Sequence, residues 1–309
     1  WISPEHELFG KAGLPEDRIS AVAWASAQAA YLINLPSDAQ ADCQVQLSVV
    51  SEDRSASALH LVVNAEKHSQ GVVVIDHRGE AQLAENVEIL VGDEAQLTLI
   101  TIQDWSDDSV HLSSHFAKLG RNSKLKHIVV SLGGKTVRLT PSVEFTAPGG
   151  DVELLGMYFA DSGQHLEHRP FVDHAVANCK SRVTYKGALQ GDRAHTIWVG
   201  DVLIRKAAEG TDTYELNRNL LLTDGARADS VPNLEIETGQ IAGAGHASAS
   251  GRFDDEQLFY LQARGITEAQ ARRLVVFGFL NEIVQQIGVA ELEARLTESI
   301  EAELARSVD

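Results

Sequence analysis

Most of the chain alternates apolar and polar residues with a period of two, in short segments. Residues 43–49 read CQVQLSV, residues 96–99 read QLTL, and a short apolar run, VVVI at 72–75, is flanked by polar turns. This period predicts β-strands with one buried face. On the same pattern, Cys43 is predicted to be a small core residue.

Turn residues recur ahead of these segments, at Gly92, Gly120, Gly149, Gly191 and Gly225. The first three are 28 and 29 residues apart (120 − 92 and 149 − 120). A repeat of this length predicts the stacked coils of a β-solenoid. A β-sandwich also has many short strands joined by turns, but two-residue Asn-Gly and Asp-Gly hairpin turns are scarce, which favours the solenoid.

Helical patterns occupy the two ends of the chain. An Ala-rich segment within residues 14–30 predicts one short helix, and the alternation stops near residue 252. The chain is therefore predicted to be mainly β, with three regions. These are an N-terminal helical segment (1–30), a β-solenoid core (31–252) and a C-terminal helical region (253–309).

The C-terminal region is predicted to form successive helices. Asp254 with Gln257 has the spacing of a helix N-cap, and Thr267 with Gln270 has that of a capping box. The helix after Thr267 carries too many apolar residues for one narrow stripe, so a second buried surface is expected, against a partner or against the last helix. Its apolar residues are Leu274, Val275, Val276, Phe277, Phe279, Leu280, Ile283, Val284 and Ile287. The last helix has an amphipathic seam at Leu292, Leu296, Ile300 and Leu304.

The chain is strongly acidic, because 26 Lys and Arg against 44 Asp and Glu give a formal charge of −18. Nucleic acid and anionic membranes bind clustered basic residues, so neither is an expected partner. The two cysteines, Cys43 and Cys179, form no C-x-x-C pair, which is typical of a reducing compartment such as the cytoplasm. No apolar run approaches the ~18 residues of a membrane span.

Three segments contain candidate chemistry. GGKT at 133–136 lacks the first glycine of a phosphate-binding loop, which would fall at Val129, so we interpret it as a turn. His246 lies in a run of small residues that lets another backbone approach closely, and it is a candidate ligand or interface contact. The third segment has metal-binding residue types at His165, Glu167, His168, His174 and Cys179. Its spacing matches no metal motif, and a strand would put its first and second histidines on opposite faces, so no metal site is predicted there.

Several long segments resemble the SufB/SufD family. They are TDTYELNRNLLLTDGARADSVPNLEIE (211–237), YKGAL (185–189), HRPFVDH (168–174) and DDEQLFYLQARGI (254–266), followed by ARRLVVFGFLNEI. His246 and Ala247 with Gly251 complete an H-A-x-x-x-G pattern between them. The resemblance covers roughly residues 165–287.

The resemblance implies a right-handed parallel β-helix and a non-catalytic scaffold subunit for iron–sulfur cluster assembly. Such a subunit pairs with a SufB-like subunit, or with itself as a homodimer, and docks a SufC-like ABC ATPase on its C-terminal helices. We expect the ATPase to contact Phe277, Phe279, Leu280 and Ile283. An iron–sulfur cluster would be held transiently in the complex, with no cofactor bound stably by this chain alone.

The resemblance also favours a SufD-like subunit. The functional cysteine of SufB aligns with Ala228, and the cysteine and glycine around the SufD histidine align with Ala244 and Ala247. The histidine itself is kept as His246, which we expect at the subunit interface near the cluster-forming site.

Two other functions stay open. Parallel β-helices often act on polysaccharides through surface carboxylates and aromatic platforms, although aromatic residues make up only 6% of this chain. A metal-storing protein rich in His and Cys is the other alternative.

Overall fold

The strands lie where the alternating pattern predicts them, and they stack in parallel. The computed structural model describes residues 1–41, 43–253 and 255–306. Its strands are β1 (Tyr31–Leu35), β2 (Val45–Ala65), β3 (Gln70–Val91), β4 (Gln96–Trp105), β5 (Val110–Leu119), β6 (Lys124–Ser131), β7 (Thr136–Phe145), β8 (Asp151–Ala160), β9 (His165–His168), β10 (Phe171–His174), β11 (Lys180–Leu189), β12 (His195–Ile204), β13 (Asp212–Leu221), β14 (Arg227–Ile236) and β15 (Gly243–Arg252). Its helices are α1 (Arg18–Ser26), α2 (Asp255–Gln262), α3 (Glu268–Val284) and α4 (Ala290–Arg306).

Each strand pairs with the strand one coil later, so the chain winds into a parallel β-solenoid. The distance in sequence between paired residues runs from 26 (Gln70 with Gln96) to 32 (Lys180 with Asp212). The strands that follow the first three predicted turns stack directly on one another, as β4, β6 and β8. The solenoid predicted from the turn period is therefore confirmed.

Two parallel sheets form opposite walls of the solenoid. The back sheet contains β4, β6, β8, β11, β13 and β15 with the first halves of β2 and β3. The front sheet contains β1, β5, β7, β9, β10, β12 and β14 with the second halves of β2 and β3. The two long strands, β2 and β3, run from the back sheet into the front sheet and stay paired with each other, with a register shift between Glu52 and Ala56.

A residue in the left-handed backbone region recurs at one corner of the solenoid. It lies two positions before each back-sheet strand from β3 to β13. These residues are His68, Glu94, Asn122, Gly149, Asn178 and Gly210, with φ between 51° and 83°. Because an L-residue in this region costs roughly 1–2 kcal/mol, the sheets on both sides must hold the corner in place where no glycine is available.

The inward-facing residues of both sheets form one apolar core, and a second core lies outside the back sheet. There, outward-facing residues of β4, β6 and β8 pack against α3 and α4. The predicted seam of the last helix is buried in this second core, with Leu296 and Ile300 both at 0% exposure. The helical tail is thereby fixed to the solenoid wall.

The N-terminal segment covers the front sheet. Its helix α1 begins after Asp17, whose side chain accepts a hydrogen bond from the Ser20 amide. Asn86 of β3 donates to the Ser20 carbonyl at 3.0 Å, and the buried Glu88 accepts the amides of Gly10 and Ala12. The short helix predicted at this end is confirmed.

Two predictions about single residues have different outcomes. Thr267 does cap α3 through a capping box with Gln270, as predicted. Cys43 is exposed, so its assignment to the core is wrong. The alternation continues there, but the first half of β2 begins the back sheet and has many exposed positions. The cap predicted at Asp254 lies outside the described residues.

Candidate functional site

The last coil, formed by β14 and β15, ends the solenoid with open strand edges. β14 pairs with β12 and β15 pairs with β13, and within the described ranges no strand pairs with their outer edges. Such edges present unpaired N–H and C=O groups to another chain. Apolar side chains are exposed here too, with Val231 at 47% and Ile236 at 44%. This end of the solenoid is suited to pairing with a second subunit.

His246 lies on β15 opposite Glu215 of β13 in the parallel register. Register partners project from the same face of a sheet, and this face is the solenoid interior, because Thr213, Glu215 and Asn217 are buried. His246 is itself exposed, since it belongs to the last coil that the structure describes. The histidine therefore lies at the mouth of the interior.

Glu215 is a buried carboxylate beneath that histidine. Neither of its carboxylate oxygens has a hydrogen-bond partner among the residues described. Burial, with a smaller contribution from the Asp201 carboxylate, raises the pKa of Glu215 to about 8. A Cβ at Gly200 would lie 2.8 Å from Glu215 Oε1, so the glycine leaves room for the acid. An acid in this environment can accept or release a proton close to neutral pH.

A hydrogen-bonded network of neutral side chains leads inward from the last coil. Asn217 Nδ2 donates to Tyr158 Oη at 3.0 Å, and Tyr158 Oη donates to Asn219 Oδ1 at 2.6 Å. Asn219 Nδ2 lies 3.1 Å from both Ser230 Oγ and Ser250 Oγ. The network joins both sheets, so the interior is polar near its open end.

Alanine occupies both last-coil positions where the resemblance leads one to expect a cysteine. Ala228 pairs with Thr196 and Ala244 with Thr213, and both threonines are buried, so both alanines face the interior. Neither β14 nor β15 contains a cysteine. Thiolate is the usual ligand of iron–sulfur clusters, and this coil offers an imidazole in its place.

Comparison with known proteins identifies the family. The family model for "SUF system FeS cluster assembly, SufBD core domain" matches residues 48–279. The chain belongs to the SufBD family. Its role is accordingly in SUF iron–sulfur cluster assembly.

Similar SufBD proteins occur in mycobacteria and in a cyanobacterium. One from Mycobacterium tuberculosis is 58% identical over 303 residues, which are 96% of this chain and 76% of the relative. One from Mycobacterium leprae is 56% identical over 303 residues, covering 96% and 77% of the two chains. One from Synechocystis is 28% identical over 213 residues, covering 69% and 47%. All three are described as iron–sulfur cluster assembly SufBD family proteins.

The histidines between 165 and 174 are separated by the strand geometry of the SufBD core. His165 is half-buried and approaches His195 (Nδ1–Nδ1 3.2 Å), whereas His168 points inward and contacts Ser131 Oγ at 3.0 Å. His174 Nε2 lies 2.8 Å from Ser181 Oγ. The three histidines thus have three different sets of partners within the described chain.

The four residues expected to contact an ATPase occupy two different environments. Leu280 and Ile283 are buried, at 0% and 1% exposure, in the core between α3 and the back sheet. In this conformation they are not available to a partner. Phe277 and Phe279 are half-buried, and Phe279 packs against Lys186 Nζ at 5.0 Å from the ring centre.

One group of potential ligands was not predicted from the sequence. His77, Glu85 and His111 meet inside the solenoid, and their ligand atoms lie within 4.8 Å of one another. The coil length contains a usable signal, because His111 lies 26 residues after Glu85 and 34 after His77, so one coil brings it back near both.

Among the described residues, no helix is long and apolar enough to cross a membrane.

Proposed function

We propose that this SufBD protein is a non-catalytic, SufD-like scaffold subunit that works in the cytoplasm. The observation that carries the proposal is the open last coil, where His246 is exposed beside unpaired strand edges. Because β14 and β15 contain no cysteine, a cluster formed at this end takes its thiolate ligands from a partner. A SufB-like subunit meets that requirement, and a second copy of the chain occupies the same edge when the protein is alone.

The outer side of the helical tail is the proposed docking surface for a SufC-like ABC ATPase. The inner side of α3 and α4 packs on the chain's own solenoid. Among the described residues of the tail, the large apolar residues left exposed are Phe259 at 73%, Tyr260 at 57% and Leu274 at 54%. Single exposed apolar residues are ordinary, but three on adjacent helices support a protein contact. We therefore assign the docking surface to the exposed side of α2 and α3 and not to the buried Leu280 and Ile283.

Co-expression with the SufB-like and SufC-like proteins of the same organism tests the proposal. We expect the three chains to co-purify and the complex to assemble an iron–sulfur cluster in the presence of iron, a sulfur donor and ATP. Failure to co-purify with either partner contradicts the scaffold role. Turnover of an acidic polysaccharide by the purified chain would favour the enzyme alternative.

A His246→Ala variant tests the site itself. The small neighbours of His246 leave little packing to lose, so the variant should fold and enter the complex while cluster assembly falls at least tenfold. His165→Ala, on the outer face of β9, is the matched control and should assemble clusters normally. Wild-type assembly by His246→Ala removes this histidine from the mechanism.

A further inference from the structure

A second group of metal-binding side chains lies inside the solenoid, far from His246. His77 Nε2 is 3.0 Å from Glu85 Oε1, and His111 Nε2 is 3.3 Å from Glu85 Oε2. All three side chains are fully buried. The path from β3 to β15 crosses six strand pairings, or roughly 29 Å at the usual spacing between strands. The group is therefore separate from the cluster-forming end.

The spacing of these side chains fits a single metal ion. Zn²⁺ binds imidazole nitrogen and carboxylate oxygen at about 2.1 Å, so two ligands of a tetrahedral ion lie roughly 3.4 Å apart. The two measured separations are 3.0 and 3.3 Å, and all the ligand atoms lie within 4.8 Å of one another. The three ligand atoms thus lie close enough together for one ion to lie between them.

Neighbouring groups hold two of the ligands in the orientation that a metal requires. His77 Nδ1 donates to the Ile102 carbonyl at 2.9 Å, which leaves Nε2 as the nitrogen with a free lone pair. Ser113 Oγ donates to Glu85 Oε2 at 2.7 Å. A histidine ligand that donates to a backbone carbonyl and a carboxylate ligand that accepts a further hydrogen bond are the usual outer shell of a metal site.

His111 is the side chain that protein contacts do not explain. Neither of its ring nitrogens makes a hydrogen bond within the described chain, although Nε2 faces Glu85. The contact between His77 and Glu85 satisfies those two residues. It leaves His111 with only the 3.3 Å approach of Nε2 to Glu85 Oε2, and with no partner at Nδ1 among the described residues. A buried polar group without a partner costs about 1–3 kcal/mol. A cation bound to Nε2 gives that nitrogen a partner.

We propose that His77, Glu85 and His111 bind one divalent transition-metal ion, Zn²⁺ or Fe²⁺, inside the solenoid. Two neutral imidazoles and one carboxylate are a ligand set that suits both ions. The ion links the corner of β3 to β5 of the next coil. Trp105 closes the site, with its ring 5.6 Å from His77 and 5.8 Å from His111 between centres. The site is independent of the scaffold function and of His246.

Metal analysis of the full chain, purified without a tag, tests this site. The protein is stripped with a chelator, exposed to Zn²⁺ or, without oxygen, to Fe²⁺, and freed of excess ion. We expect one ion per chain for at least one of the two metals. Glu85→Gln and His111→Asn should each weaken binding at least tenfold. His168→Asn, at a buried histidine whose partner is Ser131, should bind metal as the wild type does.

Two further measurements decide the outcome if a ligand variant does not fold. Co²⁺ bound by the wild type should give the visible absorption of a nitrogen–oxygen site, and Zn²⁺ or Fe²⁺ should raise the thermal midpoint by several degrees. The proposal is overturned if the wild type retains neither metal and shows no shift in midpoint with either. It is equally overturned if folded Glu85→Gln and His111→Asn both bind metal with wild-type affinity.

Discussion

Tyr158 of β8 and Gly187 of β11 are register partners, and the tyrosine ring fills the space that a side chain at Gly187 would need. Tyr185 of β11 stands in the same relation to Gly156 of β8. Two rings and two glycines therefore alternate across neighbouring coils. Because both rings are fully buried, the positions opposite them tolerate only hydrogen.

Gly187→Ala should destabilise the chain by about 1–3 kcal/mol, because the added methyl group displaces the buried Tyr158 ring. Urea denaturation measures the change in the free energy of unfolding. Gly278→Ala on α3 is the matched control, since a Cβ there meets nothing within 4 Å. It should raise stability by up to ~1 kcal/mol through helix propensity. Equal effects of the two substitutions would show that the ring packing does not constrain Gly187.

Arg295→Met should loosen the tail, because Arg295 donates two hydrogen bonds of 2.8 Å to the buried Asp76 of β3. Arg78 still contacts Asp76, so we expect a loss of about 2 kcal/mol rather than that of a wholly unpaired charge. Hydrogen exchange of the α4 backbone amides measures this loss of stability. Arg273→Met, at an exposed position of α3, should change protection little.

The effect of Arg295→Met should also depend on pH. Burial acts to raise the pKa of Asp76, but hydrogen bonds from Arg295 and Arg78 outweigh it and lower that pKa below 3.8. The stabilisation is therefore present above pH 3.8 and is lost as the pH falls through the lowered pKa. A difference between wild type and variant that persists in strong acid would contradict this origin.

Glu215→Gln should stabilise the isolated chain, and more so at alkaline pH. The pKa of Glu215 is about 8 in the native state against an ordinary value of 4.5. The native chain thus binds more protons between these two values, and its free energy of unfolding falls as the pH rises through them. The penalty is on the order of 3–5 kcal/mol above pH 8 and vanishes below pH 4.5.

Denaturation curves at pH 5 and pH 8.5 measure this difference between Glu215→Gln and the wild type. Glu235→Gln, at an exposed position of β14, is the control. It should change the free energy of unfolding by the same small amount at both pH values. A gain for Glu215→Gln that is the same at both values would mean that Glu215 carries no raised pKa.

The repeat made the architecture predictable, but the alternating pattern did not say which layer covers each face. Tyr185 and Gly187 face inward, while Lys186 faces outward to Glu282 and the Phe279 carbonyl of α3. Nothing in the sequence YKGAL distinguishes these roles. The corner residues show the same limit, since Glu94 adopts a left-handed backbone that its residue type disfavours.

The sequence indicated the candidate site at the last coil only through His246. His246 was a candidate from its run of small residues, and the family resemblance added its expected role. The neighbouring Glu215 was not predicted, because β13 and β15 are paired across 31 residues of sequence (246 − 215). Leu280 and Ile283 were assigned to a partner because an excess of apolar residues does not reveal whether the covering surface belongs to the same chain. Only the folded structure shows that they are buried against the back sheet of the same chain.

Substitution of two leucines of the tail distinguishes residues that pack within the chain from residues that bind a partner. Leu296 of α4 is fully buried, whereas Leu274 of α3 is 54% exposed. Leu296→Ala should lower the free energy of unfolding of the tail by about 2–4 kcal/mol, because it leaves a cavity against the back sheet. Leu274→Ala should change it by less than about 0.5 kcal/mol.

For binding of the SufC-like ATPase, we expect Leu274→Ala to have a larger effect than Leu296→Ala. If the ATPase docks on the exposed side of α2 and α3, Leu274→Ala removes apolar contact area at the centre of the interface, and its affinity should fall about tenfold. Leu296→Ala, measured at a temperature where its tail is folded, should bind within a factor of about three of the wild type. Calorimetric titration of both variants gives the comparison. Unchanged affinity of Leu274→Ala, with Phe259→Ala also unchanged, would place the ATPase elsewhere on the molecule.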